Sequence, residues 1–203
     1  IAFTSKKIFA VGEAMIEMSG GEGGIYRLGY AGDPLNPAGY ARALLPEGWE
    51  VDSVTALGDD MYSGEMRAFI AKAGIGTERI QTIANRRPGL YVIRQEKGDR
   101  QFAYWRGQSA AKQLADDPIA LAKALDGTAL AYFSGITLAI LDAKARETLL
   151  SQLSSAKTKG TKIAFDPNER PALWASSEEM RNSIEAAARL ADFVFPTFPD
   201  AQL

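Results

Sequence analysis

The sequence predicts an α/β fold, a doubly wound and mainly parallel sheet flanked by helices. Three observations predict it. Short apolar runs alternate along the chain with segments of helical period, as in consecutive βαβ units. Several helical segments carry their own start signals. One stretch with period-two alternation interrupts the rhythm and reads as a local antiparallel β element.

The elements follow in order. KIFAVGEAMIEM opens with an apolar run ending at Gly12, a first buried strand. A glycine-rich loop follows, then AGDPLNPAGYARAL, which predicts a helix over 34–45. Proline is tolerated in a first helical turn because the amide hydrogen it lacks would be unpaired there anyway. EVDSVTAL predicts the second strand. In GDDMYSGEMRAFIAKAG, Met66, Phe69, Ile70 and Ala73 fall at helical spacing before Gly74 ends the helix. GLYVIRQEKGDRQFAYWRG supplies two alternating runs around EKGD, a hairpin. Alternation resumes with DDPIALAKAL, where Asp117 caps and Pro118 occupies the first turn. LAYFSGI predicts a strand over 130–136, LDAKARETLLSQLSSAKTKG a helix and KIAFD a buried strand. SSEEMRNSIEAAARLA predicts a helix with a capping box from Ser176 to Glu179, and DFVFP a last strand. There are no internal repeats and no low-complexity linkers.

Composition narrows the chemistry. With 203 residues, 46% of them hydrophobic, the chain has ample material for a core. Its net charge is −2 and its basic residues are scattered, so nucleic acid is not an expected partner. No apolar run reaches the length of a membrane span and the first residues lack a cleavage pattern, so the expectation is a cytoplasmic protein without a membrane partner. Histidine and cysteine are both absent. That excludes thiol nucleophiles, Ser-His-Asp triads and HExxH metal sites within these residues. Carboxylates, arginine, lysine, tyrosine, hydroxyls and backbone amides remain, an inventory suited to polyols and phosphates.

Ligands of such sheets bind at the carboxyl ends of the strands. Neither GxGxxG after the first strand nor GxxxxGK[ST] is present. Polar groups instead gather after Gly12, in AGDPLN, in YWR, in SGI and in FDPNERP, each at or just past a strand end. Taken singly, each has two readings. Gly32, Asp33 and Asn36 form either a tight loop before a capped helix or a ligand-binding helix end. Tyr91 and Tyr104 suit cross-strand aromatic pairing as well as substrate contact. Arg106 suits a solvated strand position, Arg170 a local pair with Asp166 or Glu169, and Asn168 a turn. Two arginine forks at two loop edges suit an anionic substrate.

GEAMIEM, AGDPLNPAGYARAL, VTALGDDMYSGEM, YWRGQSAA, FSGITLAI and FDPNERPALW, in this order over nearly the whole chain, resemble the N-terminal two-thirds of a ribokinase-like (PfkB) carbohydrate kinase. Within that family they resemble the branch acting on 2-keto-3-deoxygluconate. The resemblance implies ATP-dependent phosphorylation of a sugar or sugar acid at a primary hydroxyl. It implies ATP and Mg²⁺ as cofactors, a β lid built from about residues 14–30 and 89–106, and a homo-oligomer contact through that lid. It assigns Gly32, Asp33, Asn36, Tyr91, Tyr104, Arg106 and Arg170 to the substrate. Asn168, Arg170 and Thr197 go to the nucleotide, and Asp200 to the metal.

Two departures stand out. Pro34 and Pro37 occupy a helix entrance where the family has hydroxyl or small residues, which removes two backbone donors. The family's GAGD motif does not occur, so the resemblance places the catalytic base and the nucleotide-binding part beyond Leu203, with residues 1–203 as the N-terminal part of one domain. The alternatives on this scaffold are a non-catalytic sugar or nucleoside sensor, and a fructose or nucleoside kinase.

Overall fold

A computed structural model describes residues 3, 5–96 and 99–197. In chain order the elements are β1 (Lys7–Val11), β2 (Met15–Gly20), β3 (Tyr26–Ala31), α1 (Leu35–Leu44), β4 (Glu50–Val54), β5 (Ala56–Leu57), α2 (Met61–Lys72), β6 (Gln81–Thr82), β7 (Gly89–Glu96) and β8 (Asp99–Trp105). They continue with α3 (Pro118–Leu125), β9 (Leu130–Ser134), α4 (Gly135–Ile140), α5 (Ala143–Thr158), β10 (Lys162–Asp166), α6 (Ser177–Leu190) and β11 (Phe193–Val194).

The central sheet has five parallel strands in the order β11-β10-β9-β1-β4. Strand order reverses at β1, with β4 on one side and β9 on the other. A doubly wound sheet opens its crevice at such a point, at the carboxyl ends of the strands. Residues alternate faces along each strand, and β1 shows why the run FAV is apolar throughout. Phe9 and Val11 enter one core with Phe133, Phe165 and the buried leucines of α3 and α5. Ala10 enters the other with Leu35 of α1 and Met66 and Ile70 of α2.

Helix boundaries follow the local chemistry. Asp60, Asp117, Asp142 and Ser176 each accept backbone N–H bonds at the start of a helix. The GDD stretch is structural in this fold. Asp60 caps α2 and also accepts from Ser63 Oγ, which in turn accepts from Gly58 N. The box expected at α6 is half made. Ser176 accepts from Glu179 N, but the Glu179 carboxylate bonds Arg146 Nη1 at 2.8 Å. That pairing holds α6 against α5.

Two expected elements are divided. The run 50–57 breaks after Val54, and β5 leaves the central sheet to pair with β6. The strand expected over 130–136 stops at Ser134, where α4 begins. Ser134 caps it by accepting from Thr137 N, and the Thr137 hydroxyl accepts from Ser134 N in return.

Residues 15–31 and 89–105 form a second sheet, ordered β3-β2-β7-β8. Its β2–β7 pairing is parallel, and the other two are antiparallel. Period-two alternation gives it two faces. Met15, Glu17, Tyr91, Phe102 and Tyr104 share one of them by register. Residues 12–14 lead directly from the end of β1 into this sheet, so that face hangs beside the crevice.

Candidate functional site

A cavity of about 170 Å³ lies between the second sheet and the carboxyl ends of β1 and β9. Glu13, Met15, Gly32, Asp33, Asn36, Tyr91, Phe102, Tyr104, Arg106 and Ile136 line it. Six of the residues expected to touch substrate are therefore brought together. Glu13, Met15, Phe102 and Ile136 were not foreseen.

The floor is organised by Asp33. Its carboxylate accepts from Ser134 Oγ at the end of β9 and from Asn168 Nδ2 past the end of β10. One side chain thus ties together the three loops that meet at the reversal of strand order. Burial pushes the Asp33 carboxyl above its ordinary value, and the two hydrogen bonds and the charges of Arg170 and Arg106 offset part of that rise. Asn168 sits at φ 33°, and its own N–H bonds Asp166 Oδ1 at 3.0 Å. Asparagine tolerates this left-handed geometry and stabilises it through such turns.

Gly135 lets the corner after β9 and the loop after β10 come this close. A Cβ at that position would fall inside van der Waals contact with the backbone oxygen of Pro167. The α4 entrance and the DPNERP loop pack main chain against main chain.

The entrance to α1 contributes less than a free helix end would. Pro34 is the N-cap of α1 without a side-chain cap, and Pro37 lies in the first turn. Asn36 N already donates to Gly32 O at 3.0 Å. Few backbone donors therefore remain for an anion. Gly32 serves another purpose, since a side chain there would meet Glu13 O and Ala14 Cα.

The roof is aromatic. Phe102 and Tyr104 stack with centroids 6.2 Å apart, and Tyr91 lies 5.8 Å from Tyr104. Tyr91 donates its hydroxyl hydrogen to Glu17 Oε2. Burial, followed by that bond, raises the Tyr91 pKa well above the ordinary tyrosine range. Tyr91 thus enters the cavity as a neutral ring already tied to β2. Tyr104, 54% exposed, is freer to approach a ligand. Sugar faces pack on such rings while hydroxyls seek the polar floor.

Arg106 follows β8 and reaches back under the roof. Its Nη2 bonds the buried Glu13 carboxylate, and its guanidinium carbon lies 5.9 Å from the Tyr104 ring centroid. Arg170 is exposed, donates to Glu169 O at 2.7 Å and does not line the cavity, although its charge reaches Asp33. Thr197 is exposed beyond β11 and away from the cavity lining. Asp200 lies outside the described residues. Among the described residues no group of three or more acidic side chains could hold a metal ion.

A model of the pfkB family of carbohydrate kinases matches residues 5–203. The chain belongs to that family. This pfkB chain is 40% identical over 204 residues to the 2-dehydro-3-deoxygluconokinase of Dickeya dadantii, covering 98% of this chain and 66% of that protein. It is equally identical, 40% over 200 residues, to the protein of the same name from Escherichia coli K12, covering 97% of this chain and 64% of that one. The chain thus spans about two thirds of the length of these relatives. Among solved structures, a PfkB protein from Polaromonas sp. JS666 superimposes with a TM-score of 0.83 at 26% identity, covering 99% of this chain and 68% of that one. The pfkB membership fits the mainly parallel sheet with helices on its faces. No helix among the described residues of this pfkB chain is long and apolar enough to cross a membrane.

Proposed function

We propose that this chain is the substrate-binding part of an ATP-dependent kinase that phosphorylates 2-keto-3-deoxygluconate, or a closely similar sugar acid, at a primary hydroxyl. The observation that carries the reading is the cavity itself. It combines an aromatic roof, a carboxylate floor at Asp33 and one guanidinium, Arg106, within reach of a ligand. A neutral sugar does not require that guanidinium, whereas a keto acid does. The names of the relatives agree with this choice. Gly32, Asp33 and Asn36 would meet sugar hydroxyls, and Tyr91 and Tyr104 the sugar face. Arg106, with Arg170 approaching once a ligand is bound, would meet the carboxylate. Asn168, Arg170 and Thr197 would face the nucleotide. ATP supplies the phosphoryl group when bound, and the groups named here orient the acceptor and exclude water from it.

The deciding experiment is a binding comparison. Lysine keeps the charge of arginine but loses its planar fork, so Arg106→Lys is expected to weaken 2-keto-3-deoxygluconate binding by about 1–2 kcal/mol and leave fructose binding unchanged. Calorimetry with both ligands reads this directly. Equal losses for the two would overturn the acid assignment.

The second sheet is proposed as a lid. Its exposed Ile25, Leu28 and Trp105 are where a second copy of the chain would pack. Closing elements are drawn from the less stable parts of a fold. Amide hydrogen exchange in β7 and β8 is therefore expected to be faster than in β1 and β9, and to slow when sugar acid is added. Unchanged protection on saturation would remove the lid assignment.

A further inference from the structure

Glu13 was not foreseen as a site residue, and its surroundings give it a task. It follows Gly12 at the end of β1, is 3% exposed and lines the cavity. A carboxylate this deeply buried needs partners. One oxygen, Oε2, has Arg106 Nη2, and the other, Oε1, is buried with no hydrogen-bond partner. Across the pair, Arg106 Nε is likewise buried and unpartnered. The contact is thus an ion pair made through one N–H and one oxygen, with a donor and an acceptor left unmade beside the cavity. Buried polar atoms are rarely left so unless something else completes them.

The fit around the pair is close. Residue 89, at the start of β7, is glycine, and a Cβ there would stand 2.6 Å from Glu13 Oε1 and 3.2 Å from Arg106 Cβ. The glycine leaves the volume that the Glu13–Arg106 contact fills. The side chain of Arg106 is 15% exposed, so its free edge retains a way to the cavity. The Tyr104 ring faces the same guanidinium.

We infer that Glu13 is the positioning residue for Arg106. It holds the guanidinium by Nη2 and so sets which of its accessible N–H groups face the carboxylate of the substrate. The inference rests on the sugar-acid reading above. Glu13 does not touch the reacting atoms. It fixes the orientation of the group that distinguishes an acid from a neutral sugar. A partner charge is needed for this because a lone buried guanidinium would swing toward solvent. An acceptor of neutral charge in the same place would hold it less firmly.

The test measures the preference for acid over neutral ligand in the whole protein, with 2-keto-3-deoxygluconate and fructose as probes. Glu13→Gln keeps the shape and one acceptor. It is expected to raise KM for the keto acid about tenfold, to leave kcat within about twofold, and to leave fructose affinity unchanged. In an Arg106→Lys background, Glu13→Gln should add less than about twofold, because the group it positions is already altered. Gly89→Ala displaces the pair without changing its charge and should reproduce the loss of preference. An unaltered preference in Glu13→Gln, or full additivity with Arg106→Lys, overturns the inference while leaving the functional reading intact. A wild-type protein with no preference for the acid overturns the functional reading, and the inference with it. If Glu13→Gln does not fold, the Gly89→Ala preference decides alone.

Discussion

Gly135→Ala is expected to destabilise the protein by roughly 3 kcal/mol or more, a large effect for one methyl group. The argument is geometric. The added Cβ would overlap the backbone oxygen of Pro167, and neither partner is the yielding end of a flexible side chain. Gly135 begins α4 immediately after the buried Ser134, while Pro167 precedes Asn168, whose side chain bonds Asp33. To relieve the overlap, the β9–α4 corner and the loop after β10 must move apart. Such movement pulls Ser134 and Asn168 away from their shared acceptor, so ligand binding should fall together with stability. Denaturant unfolding followed by fluorescence of Trp174, three residues past Pro171 in the same loop, would measure it. An unfolding midpoint indistinguishable from wild type would mean that the loop is not pinned against α4 in solution.

How much of this was legible in the sequence depends on where each residue finds its partners. β1, β9 and β10 were readable because a strand buried on both faces must be apolar along its whole length, and FAV, LAYF and IAF are. α5 and α6 were readable because their caps, Asp142 and Ser176, act within three residues. α4 was not. SGI continues an apolar run without a break, and the capping partner of Ser134 is a threonine rather than an acid. β2 and β3 were hidden from residue-level reading by the glycines between them. Gly20, Gly21, Gly23 and Gly24 all take positive φ to make the turn, and so large a glycine cluster reads as loop. Only the resemblance to sugar kinases recovered that segment.

The site divides in the same way. Gly32, Asp33, Asn36, Tyr91, Tyr104 and Arg106 fell in motifs, and the fold brings them to one cavity. Glu13 stands in GEAMIEM and still escaped, because an acid after a strand reads as surface and its burial depends on an arginine 93 positions away. The structure gives Asp33 a task besides the sugar contact expected from the sequence. From the sequence it faced a sugar. In the structure its carboxylate oxygens are already engaged by Ser134 and Asn168, so it also holds the crevice together.

The observed links and the proposed sugar contact give stability and binding opposite expectations in Asp33→Asn. Burial raises the carboxyl pKa of the folded state above its value in the unfolded chain. Between those two values the folded protein binds more protons than the unfolded one, so wild-type stability falls as pH rises through that window. At neutral pH the ionised carboxylate is therefore a net burden on the fold. Asparagine removes the burden and preserves the links, since its oxygen can accept from Asn168 while its amide donates to the Ser134 hydroxyl. Asp33→Asn is thus expected to be at least as stable as wild type at neutral pH, and to lose that part of the pH dependence. Its binding should suffer. A hydrogen bond to a charged acceptor is worth about 1.5–3 kcal/mol, so affinity for the sugar acid should fall by roughly 10- to 150-fold. Denaturant melts across the acidic to neutral range, paired with calorimetry at neutral pH, test both halves. A marked loss of stability at neutral pH would show that the carboxylate pair of bonds outweighs the cost of burying the charge. Unaltered affinity would show that Asp33 serves the loops alone and leaves the sugar hydroxyls to Gly32 and Asn36.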